Sequence, residues 1–285
     1  MGLFLMAYVL QKQYGNPLQI SDLDEKIKMF YDWLRNNPSK GYSGHCWGYN
    51  YSGQATVPSD LPAVNSLALG SYHTCAITID GTVRCWGAFG SGQTDVPADL
   101  PAATALAAGS DHTCAIVTGQ EVRCWGGDTY GQVSGTPSDA GFTAIAGGAY
   151  HSLALAADGS IVSWGDDSYG QVSDTVAETG FTDIAGGWFH SVALAADGSL
   201  VSWGLDYSGQ VSDIPTAAGF TAVAAGGEHG LALAADGSVT AWGDDFYDQV
   251  SNTPNASGFT AIAGGQYHSL ALKADGSIVS WGSDN

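Results

Sequence analysis

Residues 142–171 read FTAIAGGAYHSLALAADGSIVSWGDDSYGQ. The first seven residues are a short apolar run ended by glycines. Two further strand-like runs flank Asp158-Gly159, a dipeptide typical of a hairpin turn. Alternation with a period of two places Leu153 on one face of the hairpin, and Ala154 and Trp164 on the other. Both faces are apolar and must be covered, so we expect the tryptophan of one sheet to press on the alanine face of the next.

The same pattern recurs at an interval of 39 residues without insertion or deletion. A period of this length indicates a repeat architecture, and three or four short strands per repeat are typical of a β-propeller blade. The sequence therefore predicts an all-β propeller over residues 43–285. The residues that keep the spacing are seven tryptophans, each followed by glycine (Trp47, Trp86, Trp125, Trp164, Trp203, Trp242, Trp281), six histidines (His73, His112, His151, His190, His229, His268) and six glutamines (Gln54, Gln93, Gln132, Gln171, Gln210, Gln249).

These residues also resemble a known family. The pattern G-x-x-H-[ST]-x-A-[LI]-x-x-D-G-x-[VI]-x-x-W-G, followed by G-Q, is similar to the RCC1-like repeat over roughly residues 43–285. The repeat length resembles the short bacterial form, as in the β-lactamase inhibitory protein II type of propeller, and not the longer repeats of the eukaryotic chromatin factor. No insertion corresponds to the protruding wedge with which that factor catalyses nucleotide exchange. The resemblance therefore implies a propeller without that activity.

The number of blades is ambiguous in the sequence. Seven Trp-Gly strands are present, but only six copies of the two strands that precede them, because residues 1–42 do not fit the repeat. We expect seven-bladed geometry with one incomplete blade around Trp47, because similar short-repeat propellers have seven blades. The alternative is a six-bladed ring with a displaced terminal strand.

Residues 1–42 form a separate N-terminal segment in this prediction. The apolar run from Leu3 to Leu10 is too short to span a bilayer, and no basic n-region or small-residue cleavage site marks a secretory leader. Ser21-Asp22-Leu23-Asp24 is typical of a helix start, and apolar residues from Leu23 to Leu34 would share one helical face. We expect a short α-helical cap on the incomplete blade. The alternative is an anchor that docks the propeller onto a larger assembly.

Composition limits the partners. Eight basic residues against 28 acidic ones give a net charge of −20, and no lysine or arginine lies between Arg123 and Lys273. Because phosphate backbones and anionic membranes are bound by clustered cations, we expect no nucleic acid and no membrane as partner. The acidity favours either the solubility of a glycine-rich β protein or the electrostatic attraction of a basic protein partner.

Four of the five cysteines predict two disulfide bonds. Cys75 and Cys85 lie ten residues apart around a turn, and Cys114 and Cys124 repeat that spacing, so each pair should face across neighbouring antiparallel strands. The alternatives are reduced buried thiols and, without a Cys-x-x-Cys motif, a zinc site. Because disulfides persist in oxidising surroundings, the pairs favour an extracellular or virion-surface location over a cytoplasmic one.

Candidate catalytic groups are few. The six repeated histidines fall one per repeat and blades diverge around a ring, so we interpret them as structural hydrogen-bonding groups at strand starts. The repeated glutamines and Asp-Gly pairs are interpreted as loop and turn features. Asp166-Asp167 and Asp244-Asp245 lack the alternating oxygen spacing of a calcium loop. Without a nucleophile elbow, P-loop or paired-carboxylate signature, the sequence predicts no catalytic residue, metal or cofactor.

Aromatic residues that vary between repeats are the candidate binding residues, because tyrosine and tryptophan supply large contact area and dominate binding hot spots. The leading hypothesis is a non-enzymatic propeller that presents an aromatic and acidic face to a protein partner, as a virion or extracellular structural or adhesion component. The alternatives are a lectin-like glycan-binding propeller, an inhibitor of a secreted enzyme, and an enzyme that uses the central channel. The candidate residues are Tyr49, Tyr51, Tyr72, Phe89, Tyr130, Tyr150, Tyr169, Trp188, Phe189, Tyr207, Phe246, Tyr247 and Tyr267.

Overall fold

The computed structural model describes residues 30–34, 43–47 and 50–283. Its twenty strands form six three-stranded antiparallel sheets and one two-stranded sheet, so the described chain is all β, as predicted. Within these ranges the structure contains no helix with the length and apolar character that a membrane span requires.

Each three-stranded sheet is built from one repeat. Its first strand is the apolar run, its middle strand begins at the repeated histidine, and its last strand ends at Trp-Gly. The strands of the six sheets are β3 (Val64–Leu69), β4 (His73–Thr78) and β5 (Val83–Gly87); β6 (Ala103–Ala108), β7 (His112–Val117) and β8 (Val122–Gly126); β9 (Phe142–Gly147), β10 (His151–Ala156) and β11 (Ile161–Gly165); β12 (Phe181–Gly186), β13 (His190–Ala195) and β14 (Leu200–Gly204); β15 (Phe220–Ala225), β16 (His229–Ala234) and β17 (Val239–Gly243); β18 (Phe259–Gly264), β19 (His268–Lys273) and β20 (Ile278–Gly282).

The sheets pack face to face in the order of the chain. Each first strand contacts the first strand of the next sheet, and each middle strand contacts that same first strand, so the first strands lie on the inner side of the ring. Leu153 packs in one cluster with Trp203 of the following sheet. Ala154 and Trp164 pack with Ile116 of the preceding sheet.

Each tryptophan therefore covers the aliphatic face of the sheet before it. The expectation that it would press on the alanine face of the next sheet is wrong. The physical reason is that Ala154 lies on the same face as Trp164, where its small side chain leaves room for the indole ring.

The expected seven-bladed geometry with an incomplete blade is also wrong, because the described residues form six three-stranded sheets. The strand that contains Trp47, β2 (Ser43–Trp47), pairs with β1 (Phe30–Leu34) and with no other strand in the described ranges. A three-stranded blade needs a first and a middle strand before its Trp-Gly strand, and the described residues before Ser43 include one strand.

The predicted N-terminal helix overlaps this two-stranded sheet. The last five residues of that prediction, Phe30–Leu34, form a strand instead of a helix. Aromatic residues favour strands, and pairing with Ser43–Trp47 overrides the amphipathic pattern. The rest of the predicted helix, the apolar run from Leu3 to Leu10, and the proposed roles of cap or anchor lie outside the described residues.

Candidate functional site

The repeated histidines join neighbouring sheets. His112 Nε2 lies 2.8 Å from Ser152 Oγ and His151 Nε2 lies 2.9 Å from Ser191 Oγ, in each case a hydroxyl of the next sheet. His73 and His229 make the equivalent contacts with Thr113 and Ser269. The prediction of a structural hydrogen bond is confirmed for these four histidines.

His190 departs from this pattern, because Gly230 stands where the other sheets carry a hydroxyl. A Cβ at Gly230 would lie 2.2 Å from Cζ2 of Trp242, so the indole ring occupies the space of the missing side chain. The His190 Nε2 has no hydrogen-bond partner within the described residues.

None of these rings is placed for proton transfer near neutral pH. Burial lowers the pKa of each imidazole, so that the rings stay uncharged. The pKa is about 3 for His73, His112, His151 and His229, and about 4 for His190 and His268.

The loops before the histidines are joined by hydrogen bonds from the first repeat to the sixth, and they line a central opening. Ser110 N donates to Ala149 O at 2.9 Å, and Trp188 N donates to Gly227 O at 2.9 Å, each across to the loop of the next repeat. The glycine three residues before each histidine lies under the imidazole: a Cβ at Gly109 would be 2.2 Å from His112 Cε1. The opening has a volume of about 720 Å³ and is lined by these loops from all six repeats.

The loops that follow Trp-Gly lie on the same rim. Asp166 N donates to Tyr150 O at 2.9 Å and Leu205 N donates to Phe189 O at 2.8 Å, which joins each such loop to the residue before the histidine. Both groups of variable aromatic residues are therefore presented together, as the prediction of a single binding face requires.

The buried glutamines connect this rim to the core. Gln171 O accepts a hydrogen bond of 3.0 Å from Trp203 Nε1, and Gln171 Oε1 accepts one of 2.7 Å from Tyr169 N. The same two bonds recur in every repeat, from Gln54 to Gln249. The sequence identified these glutamines as loop features but not as the link between the tryptophan and the aromatic loop. Their constant spacing from the tryptophan is the signal for that role.

The paired aspartates are used by their own loops. Asp166 Oδ2 accepts from Gln171 Nε2 at 2.9 Å, and Asp167 Oδ1 accepts from the backbone N–H groups of Val172 and Ser173. These bonds hold the aromatic loop in a closed turn. No group of three or more histidine, cysteine or acidic side chains suited to a metal ion occurs among the described residues.

Nine of the candidate aromatic side chains form two clusters. The five-ring cluster connects Tyr130 to Tyr150, Tyr150 to Phe189, Phe189 to Tyr169 and Tyr169 to Tyr207, with centroid distances of 5.3, 6.3, 5.5 and 6.0 Å. The four-ring cluster connects Trp188 to Tyr267, Tyr267 to Tyr247 and Tyr247 to Phe246, at 5.6, 4.9 and 4.9 Å.

The clusters offer a large apolar area to solvent. Tyr207 is 82% exposed and Phe246 is 80% exposed, while Trp188 and Phe189 are half-buried near the opening. Burial raises the pKa of the Tyr150 hydroxyl, which keeps it uncharged. Tyr51, Tyr72 and Phe89 are exposed in other loops of the first repeats. Tyr49 lies outside the described residues.

The four predicted cysteines form the expected pairs. Cys75 lies directly opposite Cys85 on neighbouring strands, and Cys114 lies directly opposite Cys124. Their sulfur atoms are 2.05 and 2.06 Å apart, at disulfide distance. The pairing predicted from their shared spacing is confirmed.

One partly buried acid was missed by the sequence reasoning. Asp183 lies on the first strand of its sheet, and its two carboxylate oxygens accept hydrogen bonds from Ile184 N at 3.0 Å and from Val223 N of the next sheet at 3.2 Å. Burial raises its pKa to about 6. Alignment of the repeats contains the signal, since the other five hold serine or alanine at this position.

A family model for the Regulator of chromosome condensation (RCC1) repeat matches six segments of the chain: residues 64–93, 103–132, 142–171, 181–210, 220–249 and 259–285. These segments cover more than half of its length. The chain belongs to the RCC1 repeat family. The predicted family is thus confirmed. A search of curated proteins found no match to the chain.

Solved structures with the same fold include two plant receptor-kinase ectodomains and a yeast protein. The ectodomain of the receptor kinase CR4 from Physcomitrella patens is 26% identical, with a TM-score of 0.66 over 77% of this chain and 64% of that one. The chain thus spans less than two thirds of that ectodomain. The ectodomain of ACR4 from Arabidopsis thaliana is 22% identical, with a TM-score of 0.68 over 84% and 88% of the two chains. Prp20p from Saccharomyces cerevisiae is 23% identical, with a TM-score of 0.67 over 79% and 73%.

Proposed function

We propose that this RCC1-repeat protein is a non-enzymatic binding propeller whose aromatic rim docks on a protein partner. The observation that carries the proposal is the continuity of the two aromatic clusters around the central opening. Monomeric proteins seldom expose large contiguous apolar patches unless the patch serves in binding.

The rim is also pre-organised, which favours affinity. The glutamine side chains and the hydrogen bonds between successive loops hold the aromatic residues in place before any partner arrives. A rigid surface loses little conformational entropy on association. Structures of yeast Prp20p are described with its binding to Gsp1p and histones and with Kap60, so related propellers bind proteins.

An extracellular location completes the proposal. The two cysteine pairs at disulfide distance suit an oxidising compartment. The similar plant propellers are ectodomains of receptor kinases.

Replacing Trp188 and Phe189 by alanine tests the rim. We expect partner affinity to fall by about 30-fold or more, which corresponds to about 2 kcal/mol for loss of central aromatic anchors. The partner is first captured on the immobilised wild-type protein and identified, and affinities are then measured with the purified pair. A glycan array run in parallel tests the lectin-like alternative.

Two variants serve as controls. Ile79→Ala removes an apolar side chain that is 67% exposed beside the Asp80-Gly81 turn, on the opposite rim, and should leave affinity unchanged. Trp203→Ala removes a core ring and should cost about 3 to 5 kcal/mol of stability. Unchanged affinity of a folded Trp188 and Phe189 variant would contradict the proposal.

A further inference from the structure

Both aromatic clusters contain nearly perpendicular ring pairs, and the four-ring cluster alone includes a tryptophan. Trp188 meets Tyr267 at an interplanar angle of 77°, and Phe246 meets Tyr247 at 80°, so neighbouring rings stand nearly perpendicular and form corners. Trp188, Tyr247 and Tyr267 also line the central opening. A group bound in such a corner would contact the faces of two rings at once.

Gly227 makes this arrangement possible. It occupies the loop position of Trp188 in the next repeat, and a Cβ built on it would lie 3.4 Å from Trp188 Cδ2. The indole therefore lies against the bare backbone of the following loop and reaches Tyr267, one repeat further on. Any larger residue at 227 would also collide with Gln266 O, which is 2.6 Å from the same Cβ position.

Acidic residues adjoin the cluster in the sequence. Glu228 follows Gly227 directly and lies within 3.3 Å of Ser208 Oγ. Asp245 and Asp248 flank Phe246 and Tyr247 in the sequence. No lysine or arginine occurs between Arg123 and Lys273, and Lys273 Nζ is placed over the ring of Phe259. The described part of the chain therefore brings no cation of its own to these rings.

We propose that the four-ring cluster, together with Glu228, receives one basic side chain, lysine or arginine, from the protein partner. This inference rests on the proposed function and specifies the chemistry of the partner. The face of an aromatic ring attracts a cation electrostatically, most strongly for tryptophan, and the adjoining acidic residues add to that attraction. Perpendicular rings suit a compact cation, whereas a sugar stacks on a single open face.

The test uses small probes and the intact wild-type protein, so it needs no identified partner. N-acetyl-arginine methylamide is titrated and the indole N–H signal of Trp188 is followed by NMR, with the signal assigned from a Trp188→Phe variant. We expect saturable shifts of this signal. N-acetyl-citrulline methylamide has a similar shape but no charge, and should need at least a fivefold higher concentration for the same shift.

A pair of charge variants locates the effect. Glu228→Gln should weaken arginine binding at least threefold, whereas Glu178→Gln, the same change at an exposed acid near the opposite rim, should not alter it. Equal shifts of the Trp188 signal with the arginine and citrulline probes would overturn the inference. So would an arginine titration that shifts other signals and leaves the Trp188 signal unchanged. The two proposals can fail separately. If replacing Trp188 and Phe189 abolishes partner binding but the arginine tests fail, the proposed function stands and only the binding of a basic side chain is refuted.

Discussion

Gln171 shows how one side chain serves both the core and the rim. Its carbonyl oxygen binds the Trp203 indole, its Oε1 fixes the backbone of Tyr169, and its Nε2 donates to Asp166. All of these groups except Tyr169 are buried. Buried polar groups that lose their partners are costly, so the glutamine keeps the aromatic loop in one conformation.

Gln171→Ala should therefore destabilise the protein by about 2 to 4 kcal/mol, because it leaves Tyr169 N and Asp166 Oδ2 without the bonds that Gln171 makes to them. Gln210→Ala is the matched control. Leu205 replaces the aspartate in that repeat, and Gln210 Nε2 has no partner among the described residues, so we expect about 1 to 2 kcal/mol. Urea denaturation measures both losses, and equal losses would contradict the account.

Replacing Asp183 is expected to stabilise the protein at neutral pH, whereas replacing Gln171 destabilises it. Its pKa in the folded protein, about 6, lies above the ordinary value of 3.8 because burial disfavours the carboxylate. Its contribution to stability is complete below pH 3.8 and is lost as the pH rises through 6. Asp183→Asn removes this ionisation and should stabilise the protein by about 1 to 2 kcal/mol at pH 7.5, allowing for partial exposure, with little effect near pH 4. A stability difference independent of pH would refute this assignment.

At the scale of the hairpin, the later repeats show what replaces a disulfide. The places of Cys75 and Cys85 are taken by Leu153 and Ser163 in the third repeat, with the same register. The double variant Cys75→Leu with Cys85→Ser should therefore keep the fold. Without the cross-link we expect the free energy of unfolding to fall by about 2 to 3 kcal/mol, the usual effect for a disulfide that closes a short loop.

Two measurements check this prediction. Circular dichroism and thermal melting compare the variant with the wild type, and mass analysis of unreduced wild-type peptides should find Cys75 linked to Cys85 and Cys114 linked to Cys124. Three or more free thiols in the wild type would exclude the bridges.

Elements within one repeat could be predicted from the sequence, and relations between repeats could not. Alternation and the Asp-Gly turns located the hairpins and placed Cys75 opposite Cys85, because these features depend on residues close in the chain. The strand at Phe30–Leu34 was missed, since its pairing with Ser43–Trp47 outweighs a local helical pattern. The direction in which Trp164 packs, and the reach of Trp188 over Gly227, depend on a neighbour 39 residues away whose orientation no local pattern encodes.

At the scale of the whole molecule, the histidines make the ring sensitive to acid. Five of the six are buried and His268 is partly buried, and the pKa of each is depressed from 6.5 to about 3 or 4. In the unfolded chain the same groups take up protons near pH 6.5. Their stabilising contribution is complete above pH 6.5 and is lost as the pH falls towards the folded values.

We therefore expect the free energy of unfolding to fall steeply between pH 6.5 and 4, by about 1.4 kcal/mol per pH unit for each histidine, partly offset by Asp183. Urea denaturation at several pH values gives the number of protons taken up on unfolding. High salt screens the net charge of −20, so that changes in self-repulsion do not mask the slope. His151→Gln should reduce the proton uptake by about one. Constant stability from pH 7.5 to 5 would show that the rings are protonated in the folded protein, and would contradict their depressed pKa values.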